Sequence, residues 1–255
     1  MTSDDDRLAA ELAEQAGSLL LGLRAGGGDP GGLRKAGDRL SHEFLTAELA
    51  ARRPGDAVLS EEGRDNPARL SADRVWIVDP LDGTREFGEP GRTDWAVHVA
   101  LWERGELTAG AVALPAQGQV LSTTAPPPAP AGNGAGGGRA LRITVSRTRP
   151  PAFLDRLSEL ADLTLLPLGS AGAKAAAVMQ GDADVYVHAG GQYEWDSAAP
   201  VAVAVAAGLH ASRIDGSALQ YNQPDPVLPD ILICPTVLAK PLLDAIAAAG
   251  TTRPA

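Results

Sequence analysis

An apolar segment that ends in two closely spaced carboxylates constrains the fold of this chain more than any other feature. Residues 75–78 form a continuous apolar run that is typical of a buried strand, and Asp79-Pro80-Leu81-Asp82-Gly83-Thr84 follows directly. Because a proline cannot continue a hydrogen-bonded ladder, we expect the chain to turn at Pro80. The strand then delivers Asp79 and Asp82 to its C-terminal edge, where α/β proteins tend to bind ligands.

The spacing of these two aspartates points to a metal site beside a phosphate site. Crowded carboxylates repel, and one of them must take up a proton unless a cation lies between them. Mg²⁺ fits best because it is a hard ion that prefers oxygen ligands. The backbone N–H groups of Gly83 and Thr84 can point at an anion where a helix begins. The alternatives are an ordinary Asp-Gly turn and an aspartyl-phosphate enzyme, whose two aspartates stand closer together than these.

Three further segments carry polar residues that can join this site. Glu61 follows a short strand-like stretch at 57–59, although a solvated acidic loop fits that segment equally well. Asp196 precedes an apolar helix, where it is either a helix cap or a metal ligand. Ser170 and Lys174 lie in a stretch of small residues that opens another helix and lets a ligand approach, with a solvated lysine as the alternative.

Charge and composition exclude several classes of protein. The chain has 255 residues with 22 lysines and arginines against 32 acidic residues, a balance that disfavours binding to a nucleic-acid polymer. Its single cysteine, Cys234, excludes an intramolecular disulfide and a cysteine-based zinc site, and the four histidines show no paired spacing. No apolar stretch reaches the ~18 residues of a transmembrane segment, and the acidic N-terminus has the wrong charge for a signal peptide. We therefore expect a cytoplasmic protein.

The remaining pattern predicts two halves that meet near residue 140. The first, 1–140, contains an α+β arrangement with the metal-binding turn and a β-meander, followed by a flexible low-complexity loop at 126–138. The second, 141–255, alternates strands and helices and carries the substrate-binding elements. The predicted helices are 4–24, 37–53, 153–161, 173–180, 197–207 and 237–249, with a glycine-rich break at 26–32. The predicted strands are 57–59, 75–78, 95–102, 107–114, 120–123, 141–145, 163–166, 183–187 and 230–234.

These motifs together resemble the inositol monophosphatase superfamily, and within it the CysQ-type 3'(2'),5'-bisphosphate nucleotidases. Glu61-Glu62, the Asp79–Thr84 motif and Trp195-Asp196 stand in the family's order and at roughly its spacing. Arg85-Glu86-Phe87 after the motif is similar to the CysQ-type continuation. The resemblance implies an α+β fold, a layered α-β-α-β-α sandwich of the inositol monophosphatase and sugar phosphatase type.

The resemblance also implies an activity. The expected enzyme is a Mg²⁺-dependent, lithium-inhibited phosphatase that removes the 3'-phosphate of 3'-phosphoadenosine 5'-phosphate (PAP), giving AMP and phosphate and clearing a by-product of sulfate assimilation. Metal-activated water attacks in line, without a phosphoenzyme. Inositol 1-phosphate and fructose 1,6-bisphosphate are the alternative substrates, and a non-catalytic metal- or nucleotide-binding protein is the alternative class. A homodimer is the family-level expectation.

The roles of single residues follow from the same resemblance. Two Mg²⁺ ions are implied, with a third left open, and their ligands are Glu61, Asp79, the Leu81 carbonyl, Asp82 and Asp196. Catalysis is assigned to Thr84 with Glu61 or Asp38. The substrate-binding set is Glu61, Leu81, Asp82, Gly83, Thr84, Ser170, Lys174 and Asp196.

Two points stay open within that assignment. The family's usual stretch around Asp38 is reduced here to Ala36-Gly37-Asp38, with Lys35 in place of a threonine, which leaves the role of Asp38 and of a third ion undecided. Arg213 and Tyr221 are conceivable contacts for adenine, with a surface arginine and a core tyrosine as the alternatives.

Overall fold

Two five-stranded sheets come from separate stretches of the chain. The computed structural model describes residues 4–128, 130, 139–160 and 162–250. The first sheet contains β1 (Ala57–Ser60), β2 (Arg74–Asp82), β3 (Ala96–Glu103), β4 (Glu106–Leu114) and β5 (Gln119–Ser122), side by side in chain order. The second contains β6 (Leu141–Ser146), β7 (Leu163–Leu168), β8 (Val185–Tyr193), β9 (Leu209–Ser212) and β10 (Val227–Pro235), in the order β7-β6-β8-β10-β9.

Helices form three layers around these sheets. The described helices are α1 (Asp4–Ala25), α2 (Pro30–Arg52), the short α3 (Thr84–Gly88) after β2, α4 (Leu154–Leu160), α5 (Ala171–Met179), α6 (Glu194–Ala206) and α7 (Thr236–Ala249). Helices α1 and α2 pack outside the first sheet, α5 and α6 lie between the sheets, and α4 and α7 pack outside the second. This confirms the predicted α-β-α-β-α layering. Among the described helices, none combines the length and apolar character needed to cross a membrane.

Residues 75–78 of β2 are all apolar because both faces of the strand are covered there. Val75 and Ile77 belong to the core between the two sheets, whereas Trp76 and Val78 belong to the core beneath α1 and α2. All four side chains are fully buried. Burial of a large apolar side chain contributes ~1.5–3 kcal/mol, so this strand is firmly held and its C-terminal end is a rigid support for polar groups.

The end of β2 differs from the sequence prediction. The strand continues past Pro80 to Asp82, but Asp79 pairs with His98 on β3 and Asp82 pairs with Ala96. The segment on β2 between these pairs is therefore one residue longer than the facing segment on β3, which makes a β-bulge. A bulge accommodates the proline, which lacks an N–H group, without ending the strand.

Helix α2 begins at Pro30, so the predicted start near residue 37 is wrong. The Asp29 carboxylate accepts a hydrogen bond of 2.9 Å from Gly32 N, and Pro30 occupies the first turn, where its fixed φ suits a helix. A strong cap thus outweighs the glycines that follow it. Only residues 26–29 separate the two helices.

The other predicted elements are present in the structure, several of them with different ends. The predicted meander is present as β3–β5, and the four predicted strands of the second half are present, although β8 continues to Tyr193. Strand β9, at Leu209–Ser212, was missed because four residues leave little periodicity to detect. Most of the predicted low-complexity loop (129 and 131–138) lies outside the described residues. The division near residue 140 stays a prediction.

Candidate metal and phosphate site

Three carboxylates from two distant segments converge where β2 meets α6. Asp79 and Asp82 come from the bulged end of β2, and Asp196 comes from the first turn of α6. One oxygen from each lies within 4.8 Å of the other two. The convergence follows from the packing of α6 between the sheets, which brings its N-terminus to the end of β2.

Glu61 reaches the same region through the pairing of β1. Strand β1 runs parallel to β2, with Ser60 opposite Val78, so Glu61, the residue that follows β1, lies beside Asp79. The backbone N–H of Glu61 donates to Val78 O at 3.4 Å. Its side chain lies on the wall of a pocket and interacts with the carboxyl group of Asp79.

Crowding and burial raise the pKa values of three of these acids. Burial, followed by the charges of Glu61 and Asp82, raises the pKa of Asp79 well above its usual range. Desolvation and the charge of Asp196 raise the pKa of Glu61 to about 7. Burial and the charge of Asp82 raise the pKa of Asp196 to about 6. A hard divalent cation relieves this repulsion, so the donor set fits Mg²⁺.

Asp82 is held in the opposite state, ionised. Burial opposes its charge, but the charge of His98 and hydrogen bonds to the carboxylate lower its pKa overall. Its two oxygens accept from the first N–H groups of α5, Ala171 N at 3.1 Å and Gly172 N at 2.6 Å. Free N–H groups at a helix start favour an anion, and here a side chain of the protein supplies it.

His98 is a site residue that the sequence analysis missed. Its Nδ1 donates to Trp195 O at 3.1 Å, and its Nε2 lies 3.2 Å from Asp82 Oδ2. Burial would lower the pKa of His98, but the carboxylate of Asp82 raises it, which favours the imidazolium form. The signal available in the sequence was a histidine inside an otherwise apolar strand.

Thr84 and Asp38 form a second pair beside the acids. Thr84 Oγ1 lies 3.1 Å from Asp38 Oδ1 on α2 and 3.1 Å from Leu81 O, so its single proton serves one of them at a time. Burial, then the charge of Glu62, raises the pKa of Asp38 to about 6. The residue before Thr84 must be a glycine. The φ of Gly83 is +84°, and a Cβ at this position would lie 2.9 Å from Ser170 Cβ.

A pocket of about 480 Å³ opens next to the acid cluster. Among the predicted residues it is lined by Glu61, Asp82, Gly83, Lys174 and Asp196. Its remaining wall residues were not predicted: Ser146, Arg149, Gly169, Ala171, His188, Gly190, Gly191, Gln192, Tyr193 and Val227. His188 is buried there, and burial together with the charge of Lys174 lowers its pKa to about 4, so it is neutral.

Ser170 and Lys174 are engaged in local structure. Ser170 is buried and caps α5, where its Oγ accepts from Ala173 N at 2.8 Å. The Lys174 ammonium is also buried and donates to Gly169 O at 2.7 Å and Ser170 O at 2.8 Å. Their contact with substrate stays a prediction.

Neither suggested adenine contact lines this pocket. Arg213 forms a two-pronged ion pair with Asp230, both bonds being 2.7 Å. Tyr221 is buried, with its hydroxyl 3.1 Å from Ser197 Oγ. Arg213 therefore fits the alternative of a surface arginine, and Tyr221 fits the alternative of a core tyrosine.

Comparison with known proteins identifies the family. The chain matches the model of the inositol monophosphatase family over residues 7–249. It belongs to that family. The resemblance seen in the motifs is thereby confirmed.

Three known proteins illustrate what this member of the inositol monophosphatase family is similar to. The 3'-phosphoadenosine 5'-phosphate phosphatase of Mycobacterium tuberculosis (strain CDC 1551 / Oshkosh) is 56% identical over 242 residues, which cover 91% of this chain and 89% of the relative. CysQ from Bacteroides thetaiotaomicron superposes with a TM-score of 0.72 at 25% identity, covering 91% of this chain and 97% of that one. Inositol monophosphatase-II from Staphylococcus aureus MSSA476 gives a TM-score of 0.78 at 20% identity, over 93% and 91% of the two chains. The last comparison shows a shared fold.

Proposed function

We propose that this protein is a Mg²⁺-dependent phosphatase that hydrolyses the 3'-phosphate of PAP to AMP and phosphate. The convergence of Asp79, Asp82 and Asp196 within 4.8 Å carries the proposal, because such a cluster is stable at neutral pH only with protons or a cation. The 56% identity to a relative named for this substrate supports the choice of PAP.

The proposed ligands of the ions are Asp79, Asp82, Asp196, Glu61 and the carbonyl of Leu81. Two Mg²⁺ ions are proposed, with a third left open. When bound, Mg²⁺ supplies a Lewis acid that neutralises the phosphate oxygens and makes water more acidic. The net charge of −10 makes this neutralisation necessary for a substrate that is itself anionic.

The proposed catalytic group is Thr84, supported by Asp38. When Thr84 donates its proton to Asp38, its oxygen lone pairs are available to orient a water molecule. Asp38 has a pKa of about 6 and is ionised at neutral pH, so it can take up a proton. Glu61, with a pKa of about 7, is the second candidate base. Water then displaces the leaving oxygen directly, without a phosphoenzyme.

Gly83 and Thr84 are proposed to contact the scissile phosphate. Lys174 is proposed to act on the substrate from the pocket wall. Since the ammonium of Lys174 is already bonded to two carbonyls, its proposed contribution is its positive charge. The N–H groups of Ala171 and Gly172 are occupied by Asp82 and do not serve as the phosphate cradle.

A side-by-side measurement of kcat/KM with Mg²⁺ on PAP, inositol 1-phosphate and fructose 1,6-bisphosphate tests the substrate. We expect a clear preference for PAP, and a preference for inositol phosphate would overturn the choice. Asp79→Asn protein is the control for contaminating phosphatase. Phosphate release by a purified, correctly folded Asp79→Asn variant at the wild-type rate would show that the proposed site is wrong.

Several broader properties stay predictions. They are inhibition by lithium, a role in sulfate assimilation, a cytoplasmic location and a homodimer. Lithium added at constant Mg²⁺ is expected to reduce PAP turnover, and unchanged turnover would count against the family mechanism. Sedimentation analysis tests the homodimer.

A further inference from the structure

An exposed aromatic ring stands at the end of the pocket next to the acid cluster. Tyr193 is the last residue of β8, it lines the pocket, and 46% of its surface is exposed. Its ring is stacked on Trp195, with the ring centroids 4.7 Å apart and the planes 8° from parallel. Trp195 covers one face of the ring and fixes its orientation.

The surroundings of this ring leave room for a flat group. Val227, opposite Tyr193 in the β8–β10 pairing, lines the same pocket and is 44% exposed. Gly190 and Gly191 form the adjoining wall, and a Cβ on either would meet no atom within 4 Å. Of the described large apolar side chains that are exposed, only Tyr193 and Val227 line this pocket.

The ring is also tied to the acid cluster. The backbone N–H of Tyr193 donates to Asp196 Oδ2 at 2.7 Å, so ring and carboxylate belong to one rigid turn. A nucleotide has its base one sugar away from its phosphate group, whether that group is on the 3'- or the 5'-oxygen. A substrate whose phosphate lies beside the acid cluster therefore places its base within reach of Tyr193.

We propose that the purine base of the nucleotide substrate stacks on Tyr193, which makes this residue a determinant of nucleotide specificity. The inference rests on the proposed function, since it names the part of the substrate that this wall binds. Every base offers a flat π-face, so an exposed, pre-oriented ring recognises bases without hydrogen bonds. A cyclitol phosphate has no such face and gains nothing from Tyr193.

The test compares two ligands that differ only in the base, AMP and ribose 5-phosphate, by calorimetry at constant Mg²⁺. Tyr193→Leu keeps apolar bulk and the backbone N–H but removes the aromatic face, whereas Tyr193→Phe keeps the ring. Val205→Ala is the matched control, because Val205 is also exposed and lies on α6 but outside the pocket.

We expect Tyr193→Leu to weaken AMP binding about tenfold, ~1.4 kcal/mol, and to leave ribose 5-phosphate binding unchanged. Tyr193→Phe and Val205→Ala should both bind like wild type. The inference is overturned if wild type binds AMP no more tightly than ribose 5-phosphate, or if Tyr193→Leu weakens neither ligand or both equally. Failure of the proposed function is a separate result, namely no turnover of PAP by a wild-type enzyme that still prefers AMP in the binding assay.

Discussion

Neighbouring acids in this site are held in opposite protonation states. Asp82 is kept ionised by His98 and by the start of α5, whereas the pKa values of Asp79 and Glu61 are raised. The fixed anion supplies a permanent attraction for a cation. Asp79 and Glu61 release their protons when a cation binds.

His98 is expected to act as a positioning residue for Asp82. In His98→Gln the partner that orients the Asp82 carboxylate and keeps it ionised is lost, so we expect Mg²⁺ half-saturation to rise by roughly tenfold or more. Titration with Mn²⁺, followed by electron paramagnetic resonance, measures this without reliance on turnover. His210→Gln is the control, since His210 pairs with Ser212 on β9. Equal affinity in the His98 variant and wild type would assign His98 to packing alone.

Thr84→Ala is expected to lower kcat by roughly 10²–10⁴-fold, because the hydroxyl that orients water is lost. Thr84→Ser keeps the hydroxyl bonded to Asp38 and should retain most activity. Steady-state kinetics on PAP, together with melting curves, separate a catalytic loss from unfolding. Persistent phosphate release by folded Thr84→Ala would show that the catalytic assignment is wrong.

Single residues could be predicted where the chemistry is local in sequence. Asp79 and Asp82 stand in one motif, so their proximity was evident before folding. His98 was not, because it meets the site only through the register that places it opposite Asp79 and through packing against Trp195. Tyr193 likewise gains significance only from the pocket that it lines.

At the scale of elements, a buried polar network fixes the start of α6. Glu194, beside Asp196, accepts from Asn222 N at 2.6 Å and Gln223 N at 2.7 Å. Arg69, in the 3-10 turn Pro67–Ser71, donates to Asn222 Oδ1 at 2.8 Å and Gln223 O at 2.9 Å. The loop before β10 thus links the turn before β2 to the helix that carries an acid of the site.

Arg69→Met is expected to lower the free energy of unfolding by ~2 kcal/mol or more, because it leaves buried acceptors without donors. Arg104→Met is the matched control. Its ion pair with Asp73 is 69% exposed on each side, so the expected change is ~0–1 kcal/mol. Urea unfolding of both variants measures the difference. Equal losses would mean that the network contributes no more than a surface pair.

Elements were predictable from sequence where periodicity or apolar runs are long, as in β2 and the meander. The start of α2 was missed because the cap by Asp29 outweighs a glycine-rich composition. The bulge at Pro80 was missed because the same proline also fits a strand end. Both errors come from tertiary or capping interactions that override local preference.

At the scale of the molecule, metal binding and folding are linked through protons. Glu61 and Asp196 have folded-state pKa values of about 7 and about 6, above their usual values, so at these two groups the folded protein binds more protons than the unfolded chain. The contribution of these two acids to stability therefore falls as pH rises toward their folded-state pKa values of about 6 and 7. A cation that binds the ionised acids offsets this loss.

We accordingly expect Mg²⁺ to raise Tm more at about pH 8 than at about pH 5.5, where protons compete with it. At each pH, the Tm with Mg²⁺ minus the Tm with a chelator gives the shift caused by the metal. Groups elsewhere in the chain titrate equally in both samples, so their effect drops out of this difference. Asp79→Asn should abolish most of the Mg²⁺ effect. An equal or larger shift at the lower pH would contradict the linkage.

The layered architecture could be predicted from the family resemblance. The distances between residues that are far apart in sequence could not. No local pattern states that α6 lies between the sheets and brings Asp196 to the end of β2. The division near residue 140 and the homodimer stay predictions at this scale.

The most direct test of the central claim is an anomalous difference map from crystals grown with Mn²⁺ and AMP. We predict at least one manganese peak among the carboxylates of Asp79, Asp82 and Asp196. Well-ordered carboxylates with no peak among them, in crystals that bind manganese elsewhere, would contradict the claim that these acids form a metal site.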